Sequence, residues 1–311
     1  MPIRKGGLPL PEGTNDGAQY VAPQKAVEQL LGELRPRLHR YCARMTGSVI
    51  DGEDVVQDVM LKAIEAAPAA EPLSNPEGWL FRIAHNAALD FLRRRTREAA
   101  QHSNEDLDMI AAEMNPLEYR QIAAASLRTF MRLPASQRSS VILSDVLGYS
   151  LQEVSEIAGC SVPSVKAALQ RGRTRLRTLA AEASGSSVPA LAEPERIRLK
   201  TYVERFNAHD FDAVRALLAE DVRLEVVNRT RLDGKKNVAP YFGNYAARPH
   251  WWLMPGFVDG RPALLVYDAG DPGRQVKYFV LLAWTGEQIA GIRDFVFARY
   301  AMDGAEIAVM D

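Results

Sequence analysis

Apolar residues recur at intervals of three and four positions through the first part of the chain, which is the spacing of one face of an α-helix. The first such run is Val27, Leu30, Leu31, Leu34 and Leu38. Amphipathic runs at Asp51–Ala67 and Glu77–Arg97 predict two more helices, and residues 119–181 are predicted to be helical again. Residues 1–24 are rich in glycine and proline and have no periodicity, so we expect a disordered arm there.

The pattern changes after residue 195. Two helical segments, 196–208 and 210–219, precede segments in which β-branched and aromatic residues are frequent. The predicted strands are residues 222–227, 251–258, 263–267, 275–284 and 288–298. Turn sequences such as Asp259-Gly260 separate them, so we expect an antiparallel meander. The predicted fold class is therefore multidomain, with two all-α domains followed by an α+β domain.

Two segments between these parts are predicted to be linkers. Residues 98–118 contain six acidic residues and neither lysine nor arginine, and residues 182–195 carry glycine, serine and two prolines. The predicted domains are consequently residues 25–97, 119–181 and 196–311.

Charge and cysteine content narrow the class of protein. The 38 basic and 39 acidic residues nearly cancel, but the charge lies in blocks, and residues 162–179 hold five basic residues and no acidic one. Two cysteines exclude a disulfide scaffold and a four-cysteine zinc site, and we expect neither a metal nor a cofactor. No apolar stretch approaches the ~18 residues of a membrane span, and the N-terminus lacks the apolar core of a signal peptide. We therefore expect a cytoplasmic protein.

Residues 147–177 predict a helix-turn-helix. Ser150 and Glu153 have the spacing of a capping box, and Gly159 permits a left-handed turn between two helices. Val165 and Leu169 would face the core of the domain. The residues expected to face outward, toward the major groove of DNA, are Ser164, Lys166, Ala167, Gln170, Arg171 and Arg173. The alternative is a solvated basic helix within a bundle.

Two polar faces in the first helical domain are further candidates. One lies in the second helix and consists of Asp54, Gln57, Asp58 and Lys62. The other lies in the third helix and consists of Asn86, Asp90, Arg93 and Arg94. An acidic face can dock a basic partner helix, and asparagine with arginines can hold an unstacked base and its phosphates. Taken alone, each face could equally be an ordinary solvated surface.

Three motifs together resemble the extracytoplasmic-function group of bacterial sigma factors. They are EDVVQDVMLKA from residue 53, NPEGWLFRIAHNAALDFLRRR from residue 75, and LPASQRSSVILSDVLGYSLQEVSEIAGCSVPSVKAALQRGRTRLR from residue 133. The resemblance implies sigma region 2 at 25–97 and region 4 at 119–181. It implies that the face of the second helix binds core RNA polymerase. It further implies that the face of the third helix reads the −10 promoter element, and that the outward residues of the helix-turn-helix read the −35 element.

The C-terminal part resembles the SnoaL-like domains of the NTF2-like superfamily. The resemblance rests on RIRLKTYVERFNAHDFDAVRALLAEDVRLEVV from residue 196, with KKNVAPYFGNYA from residue 235 as a third helix. A pocket in such a domain could hold a small ligand, and the expected pocket residues are His250, Trp252, Tyr267 and Asp294. Glu225 and Arg293 are further acid–base candidates. No spacing fixes a catalytic pair, so we do not expect an enzyme.

These observations predict a sigma factor that directs promoter-specific initiation. The C-terminal domain is expected to pack on regions 2 and 4 and to modulate activity. One alternative is a stand-alone helix-turn-helix regulator with a ligand-sensing C-terminal domain. Another is a cyclase or isomerase fused to a DNA-binding half.

Overall fold

The fold is described from a computed structural model, which covers residues 23–67, 74–99, 126–181 and 191–310. Of the predicted disordered arm, residues 1–22 lie outside this range, as do residues 100–118 and 182–190 of the predicted linkers. Residues 119–125, which were predicted to begin the second helical domain, also lie outside it. Two linker bounds differ from the prediction, because helices occupy residues 98–99 and 193–195.

The first helical domain contains three helices that pack around one apolar core. They are α1 (Pro23–Thr46), α2 (Val49–Ala66) and α3 (Pro76–Ala99). Ser48 begins α2 as its N-cap, and its hydroxyl accepts hydrogen bonds from the backbone N–H groups of Ile50 and Asp51 at 3.2 and 3.3 Å. The helices α1 and α2 approach closely at Gly52, where a Cβ atom would lie 2.6 Å from the backbone of Ala43.

The second helical domain is built around the predicted helix-turn-helix. Its helices are α4 (Leu127–Met131), α5 (Ala135–Val141) continued by a π-helical turn (Ile142–Val146), α6 (Leu151–Ala158) and α7 (Val162–Ala181). The capping box at Ser150 and Glu153 is present, and Gly159 adopts φ +65°, as the sequence predicts. These local features confirm the helix-turn-helix.

The two helical domains share a single core. The rings of Phe81 in α3 and Tyr149 before α6 pack edge to face with centroids 5.2 Å apart. The Tyr149 hydroxyl also donates a hydrogen bond to Glu77. Arg138 in α5 donates to the carbonyl oxygen of Met45 at the end of α1. The second helical domain is thus packed directly against the first.

The C-terminal domain combines short helices with one seven-stranded sheet. Its helices are α8 (Glu193–Asn207), α9 (Phe211–Ala216), α10 (Lys235–Val238) and α11 (Phe242–Ala246), with 3₁₀ turns at Ala239–Tyr241 and Arg299–Met302. Its strands are β1 (Leu218–Val226), β2 (Thr230–Asp233), β3 (Trp251–Val258), β4 (Arg261–Asp268), β5 (Val276–Thr285), β6 (Gln288–Asp294) and β7 (Ile307–Val309).

The strand order is β2-β1-β6-β5-β4-β3-β7, and it corrects the prediction of an all-antiparallel sheet. Strands β3 to β6 form the expected meander, but β1 pairs with β6 in parallel. Residues 210–219 were expected to be helical throughout, whereas α9 ends at Ala216 and β1 begins at Leu218.

The two faces of the sheet have different partners. One face packs against α8, α9 and α11 through a core that includes Phe206, Tyr245 and Tyr278. The other face packs against the first helical domain through a separate core. This second core contains Ala43, Val49, Ile50, Val258, Leu265, Phe279 and Phe295 among its buried residues. Side chains alternate between the faces of a strand, so neighbouring residues of β4, such as Leu264 and Leu265, belong to different cores.

Candidate functional site

The predicted polymerase-binding face lies on the side of α2 that points away from the core of the first domain. Val55, Val56 and Val59 are fully buried on the opposite side of this helix. Asp58 and Lys62 are exposed. Helical periodicity therefore places the polar residues as the sequence predicts. The first half of the face, Asp54 and Gln57, has different surroundings from the second half, Asp58 and Lys62.

The C-terminal domain contacts the first half of this face. Arg293 in β6 forms an ion pair with Asp54, with 2.6 Å between Nη1 and Oδ1. Gln57 donates a hydrogen bond to Glu225 at 2.6 Å and accepts one from Arg231. Glu225 lies between Arg293 and Arg231, with N–O distances of 2.9 and 3.2 Å. Burial raises the pKa of Asp54, and Arg293 opposes that shift.

A buried triad reinforces the contact between the domains. The Nε atom of Arg35 donates to the hydroxyl of Tyr300 at 2.6 Å, and that hydroxyl donates to Glu53 at 3.0 Å. Arg35 also forms an ion pair with Glu53. The Glu53 side chain is 0% exposed, and its burial raises its pKa while Arg35 opposes the shift. A buried carboxylate and guanidinium are stable only when their hydrogen-bonding capacity is used, and Tyr300 supplies two of these bonds from the other domain.

The β3–β4 turn touches the start of α2. Asp259 and Gly260 both have positive φ, which is the geometry of a type I′ hairpin. The Asp259 carboxylate accepts a hydrogen bond from the backbone N–H of Val49 at 2.6 Å. Asp51 lies next to it and forms ion pairs with Arg261 of the C-terminal domain and with Arg95 of α3. One carboxylate thus joins the C-terminal domain to the arginine run of α3.

The predicted −10 face of α3 is open to solvent. Asn86, Asp90, Arg93 and Arg94 are all exposed. Asp90 and Arg93 form an ion pair at 3.2 Å in which both side chains are more than half exposed. A pair of this kind contributes little to stability, so both groups can exchange it for contacts with DNA.

The residues of the predicted −35 face lie along α7, and Arg173 differs from the others in its surroundings. Val165 and Leu169 are buried, while Ser164, Lys166 and Gln170 are exposed. Ala167 and Arg171 are partly exposed. Arg173, however, forms a two-pronged ion pair with Asp145, with N–O distances of 2.6 and 2.9 Å. Since the Asp145 side chain is 0% exposed, Arg173 neutralises a buried charge within the domain.

The residues expected to form a pocket in the C-terminal domain are not brought together. A cavity of about 180 Å³ is lined by Asp294 and by Trp251 rather than Trp252. Trp252 and Tyr267 are opposite each other in the β3–β4 register, and strand alternation places them on the other side of the sheet. His250 is exposed, and its ring lies against that of Trp251 with centroids 4.6 Å apart and planes inclined at 45°.

The interdomain residues were not predicted as such. Glu225 and Arg293 stand out in the sequence only as acid–base candidates, and Tyr300 and Asp259 carry no functional signal there. The only clue in the sequence to these interdomain contacts would have been a charged residue on the sheet face that packs against the other domain. No cluster of three or more metal-ligating side chains exists within the described residues. Among those residues, no helix is long and apolar enough to cross a membrane.

Comparison with known proteins agrees with this architecture. Residues 30–98 match the family Sigma-70 region 2, residues 127–176 match Sigma-70, region 4, and residues 199–292 match the SnoaL-like domain. A fold with these two helical regions and exposed polar faces on α2, α3 and α7 defines a promoter-recognition subunit of RNA polymerase.

Similarity to known proteins identifies the family of the chain. The chain is 32% identical to the ECF RNA polymerase sigma factor SigM of Mycobacterium tuberculosis, over 52% of this chain and 81% of that protein. It is 31% identical to the RNA polymerase sigma factor CarQ of Myxococcus xanthus, over 55% of this chain and 95% of that protein. It is 30% identical to SigE of Mycolicibacterium smegmatis, over 57% and 71%. The chain belongs to the ECF sigma factors of RNA polymerase.

Solved structures of two sigma factors align with parts of the chain. The sigma factor SigJ of Mycobacterium tuberculosis aligns over 86% of this chain and 95% of that chain, with 20% identity and a TM-score of 0.33. The sigma factor RpoE of Bartonella quintana, solved in complex with the anti-sigma factor NepR, aligns over 51% of this chain and 99% of that chain with 26% identity and a TM-score of 0.39.

Proposed function

We propose that the described arrangement is a closed form of this sigma factor, in which the C-terminal domain inhibits initiation by covering part of the polymerase-binding face of α2. The observation that carries this proposal is the contact of Asp54 and Gln57 with Arg293, Glu225 and Arg231. The polar groups of Asp54 and Gln57 that contact the C-terminal domain are not available to polymerase in this arrangement, so polymerase binding through these groups requires the C-terminal domain to move.

The residue roles within the proposal follow the exposed faces. Asp54, Gln57, Asp58 and Lys62 would bind core RNA polymerase. Asn86, Asp90, Arg93 and Arg94 would bind the −10 element. Ser164, Lys166, Ala167, Gln170 and Arg171 would bind the −35 element. Arg173 is left out of this set, because its guanidinium already neutralises Asp145.

The packing of the two helical domains supports the assignment of a closed form. By the positions that name them, the −10 and −35 elements lie about 25 base pairs apart, or about 85 Å at ~3.4 Å per base pair. In the described structure α3 and the helix-turn-helix share one core, with Phe81 against Tyr149. A straight promoter cannot be bound at both elements by domains in this contact, so the domains must separate before both elements are read.

The energetics of release depend on the interface between the C-terminal domain and α1–α2. Its apolar core favours the closed form, and its charged contacts are replaced by water when the domain leaves. Because the domain belongs to the same chain, its local concentration near α2 is high without any strong individual contact. Partial weakening of the interface should therefore shift the balance between closed and open forms instead of unfolding the protein.

A pair of variants of the full chain tests the proposal. Arg261→Ala/Arg293→Ala removes two charged contacts to Asp51 and Asp54 from the C-terminal side and leaves the predicted polymerase face intact. The matched control is Arg215→Ala, which removes an exposed ion pair with Asp212 within the C-terminal domain. Binding to purified core polymerase and run-off transcription are measured for each protein.

We expect the double variant to bind polymerase more tightly and to give more transcript than wild type, whereas Arg215→Ala matches wild type. Polymerase affinity that is unchanged or weaker in the folded double variant would overturn the inhibitory role of the C-terminal domain.

A further inference from the structure

The cavity of the C-terminal domain lies between the end of β6 and helix α11. Its floor is formed by Asp294, Tyr245 and Tyr278, which are buried. Aromatic walls rise from this floor and include the rings of Tyr241 and Trp251. The volume of about 180 Å³ is smaller than the ~300–1,000 Å³ of sites for drug-sized ligands. The site therefore suits a small molecule with a flat apolar part.

Hydrogen bonds on the floor have a defined direction. The hydroxyls of Tyr241 and Tyr245 donate to Oδ2 of Asp294 at 2.6 and 2.8 Å, and the backbone N–H of Val296 donates to Oδ1 at 2.9 Å. Tyr245 has one hydroxyl hydrogen, which it gives to Asp294. Tyr278, 3.1 Å away, must then donate its own hydrogen to Tyr245.

This arrangement leaves the floor rich in acceptors. All three phenolic hydrogens point along the chain of hydrogen bonds toward Asp294, and the remaining capacity of the hydroxyls is oxygen lone pairs. The Asp294 side chain is fully buried, and no lysine or arginine among the described residues forms an ion pair with it. Burial raises the pKa of Asp294, and the hydrogen bonds that it accepts from Tyr241, Tyr245 and Val296 oppose that shift. A positive group bound beside it would favour the charged carboxylate, so the floor is complementary to such a group.

We infer that this cavity is a binding site for a small organic cation, an ammonium group carried on a flat apolar body. The ammonium N–H groups would donate to the oxygens of Tyr241 and Tyr278, beside the Asp294 charge. The faces of the surrounding rings add a cation–π attraction. Arg248 lines the exposed mouth of the cavity. Its charge disfavours a second positive group at the outer end of the ligand and tolerates an acidic one.

The inference concerns the C-terminal domain alone and holds whether or not that domain inhibits initiation. The test uses the full chain and three probes of nearly equal shape: benzylamine, benzyl alcohol and benzoate. Binding is followed by calorimetry and by the fluorescence of tryptophan, since Trp251 lines the cavity. We expect benzylammonium to bind with millimolar affinity, and benzoate to bind at least about tenfold more weakly, as the charge preference of aromatic rings and a carboxylate requires.

Two variants place the binding at this cavity. Asp294→Asn removes the charge and should abolish the preference for benzylammonium over benzyl alcohol. Tyr241→Phe retains the carboxylate and the ring, removes one acceptor, and should weaken benzylammonium severalfold even if the first variant folds poorly. Tyr267→Phe, on the opposite side of the sheet, should leave the affinity unchanged. Benzoate binding as tight as benzylammonium, equal affinity in Tyr241→Phe and wild type, or no benzylammonium binding up to about 10 mM would each overturn the inference.

Discussion

The hydroxyl of Tyr300 is the smallest group whose removal should open the interface. Tyr300→Phe keeps the ring and its packing against His39, where the centroids are 5.1 Å apart. It removes one acceptor from Arg35 and one donor to Glu53. In the open form all three groups can be hydrated, so the substitution acts mainly on the closed form.

The magnitude follows from the two lost hydrogen bonds. Each involves a charged partner and would contribute about 1.5–3 kcal/mol to the contact. Arg35 and Glu53 keep their ion pair, which partly satisfies both groups, so the net loss should fall below the ~3–6 kcal/mol sum of the two bonds. We expect about 2 kcal/mol, which shifts the ratio of closed to open protein by about 30-fold.

Polymerase affinity reports this shift, because the apparent dissociation constant equals the intrinsic constant divided by the open fraction. If wild type is mostly closed, Tyr300→Phe should bind core polymerase about 30-fold more tightly. Hydrogen exchange of residues 295–303 should also become faster. The control is Tyr202→Phe, in the core of the C-terminal domain. Equal exchange and equal affinity in Tyr300→Phe and wild type would refute the reasoning.

Three further predictions follow from buried groups and close contacts. Burial lowers the pKa of His85 to about 4. The difference in unfolding free energy between wild type and His85→Gln should therefore fall by about 2 kcal/mol from pH 7 to pH 5, because the unfolded wild-type chain gains a proton at this position and the folded chain does not. Arg173→Ala should destabilise the chain by about 3 kcal/mol, because it leaves Asp145 unpaired. Lys166→Ala should only reduce the steepness with which the logarithm of the DNA-binding constant falls against the logarithm of the salt concentration, by about 0.9. Gly52→Ala should destabilise the chain. The added methyl group would overpack against α1 at a cost of up to about 3 kcal/mol, which exceeds the gain of about 1 kcal/mol from the higher helix propensity of alanine.

Each of these has a distinct measurement. Urea unfolding at several pH values tests His85: an unfolded chain takes up the proton below pH ~6.5 while the folded chain does not, so a pH-independent difference contradicts the assignment. DNA binding by the holoenzyme at several salt concentrations tests Lys166, and a stable Arg173→Ala chain with a lowered salt slope would return Arg173 to the DNA face. Thermal unfolding tests Gly52, with Gly32→Ala as control, since a Cβ atom at Gly32 meets nothing within 4 Å.

Features that depend on neighbouring residues could be predicted from the sequence. The capping box at Ser150, the left-handed Gly159 and the Asp259-Gly260 turn are each set by a few adjacent residues, and each is present. The parallel pairing of β1 with β6 was missed because the two strands are far apart in the chain and the alternation of side chains is the same in either direction.

The functional faces show the same difference between features set by neighbouring residues and features that depend on residues far apart in the chain. Helical periodicity was sufficient to place Asp54 and Gln57 on one side of α2. It carried no information about Arg293, which meets Asp54 only after the sheet has formed. The ion pair of Arg173 with Asp145 was missed for a related reason, because Asp145 lies in a preceding helical turn whose path a periodicity pattern does not describe.

The inhibitory contact that we propose lies within a single chain, which has a consequence for dosage. A separate inhibitor must be made in proportion to its target, and any excess of the target escapes it. Here every copy of α2 is synthesised together with its own Arg293 and Tyr300, so the open fraction is the same at low and high abundance. Overproduction would raise transcription in proportion to the amount of protein, without the threshold that titration of a separate inhibitor produces.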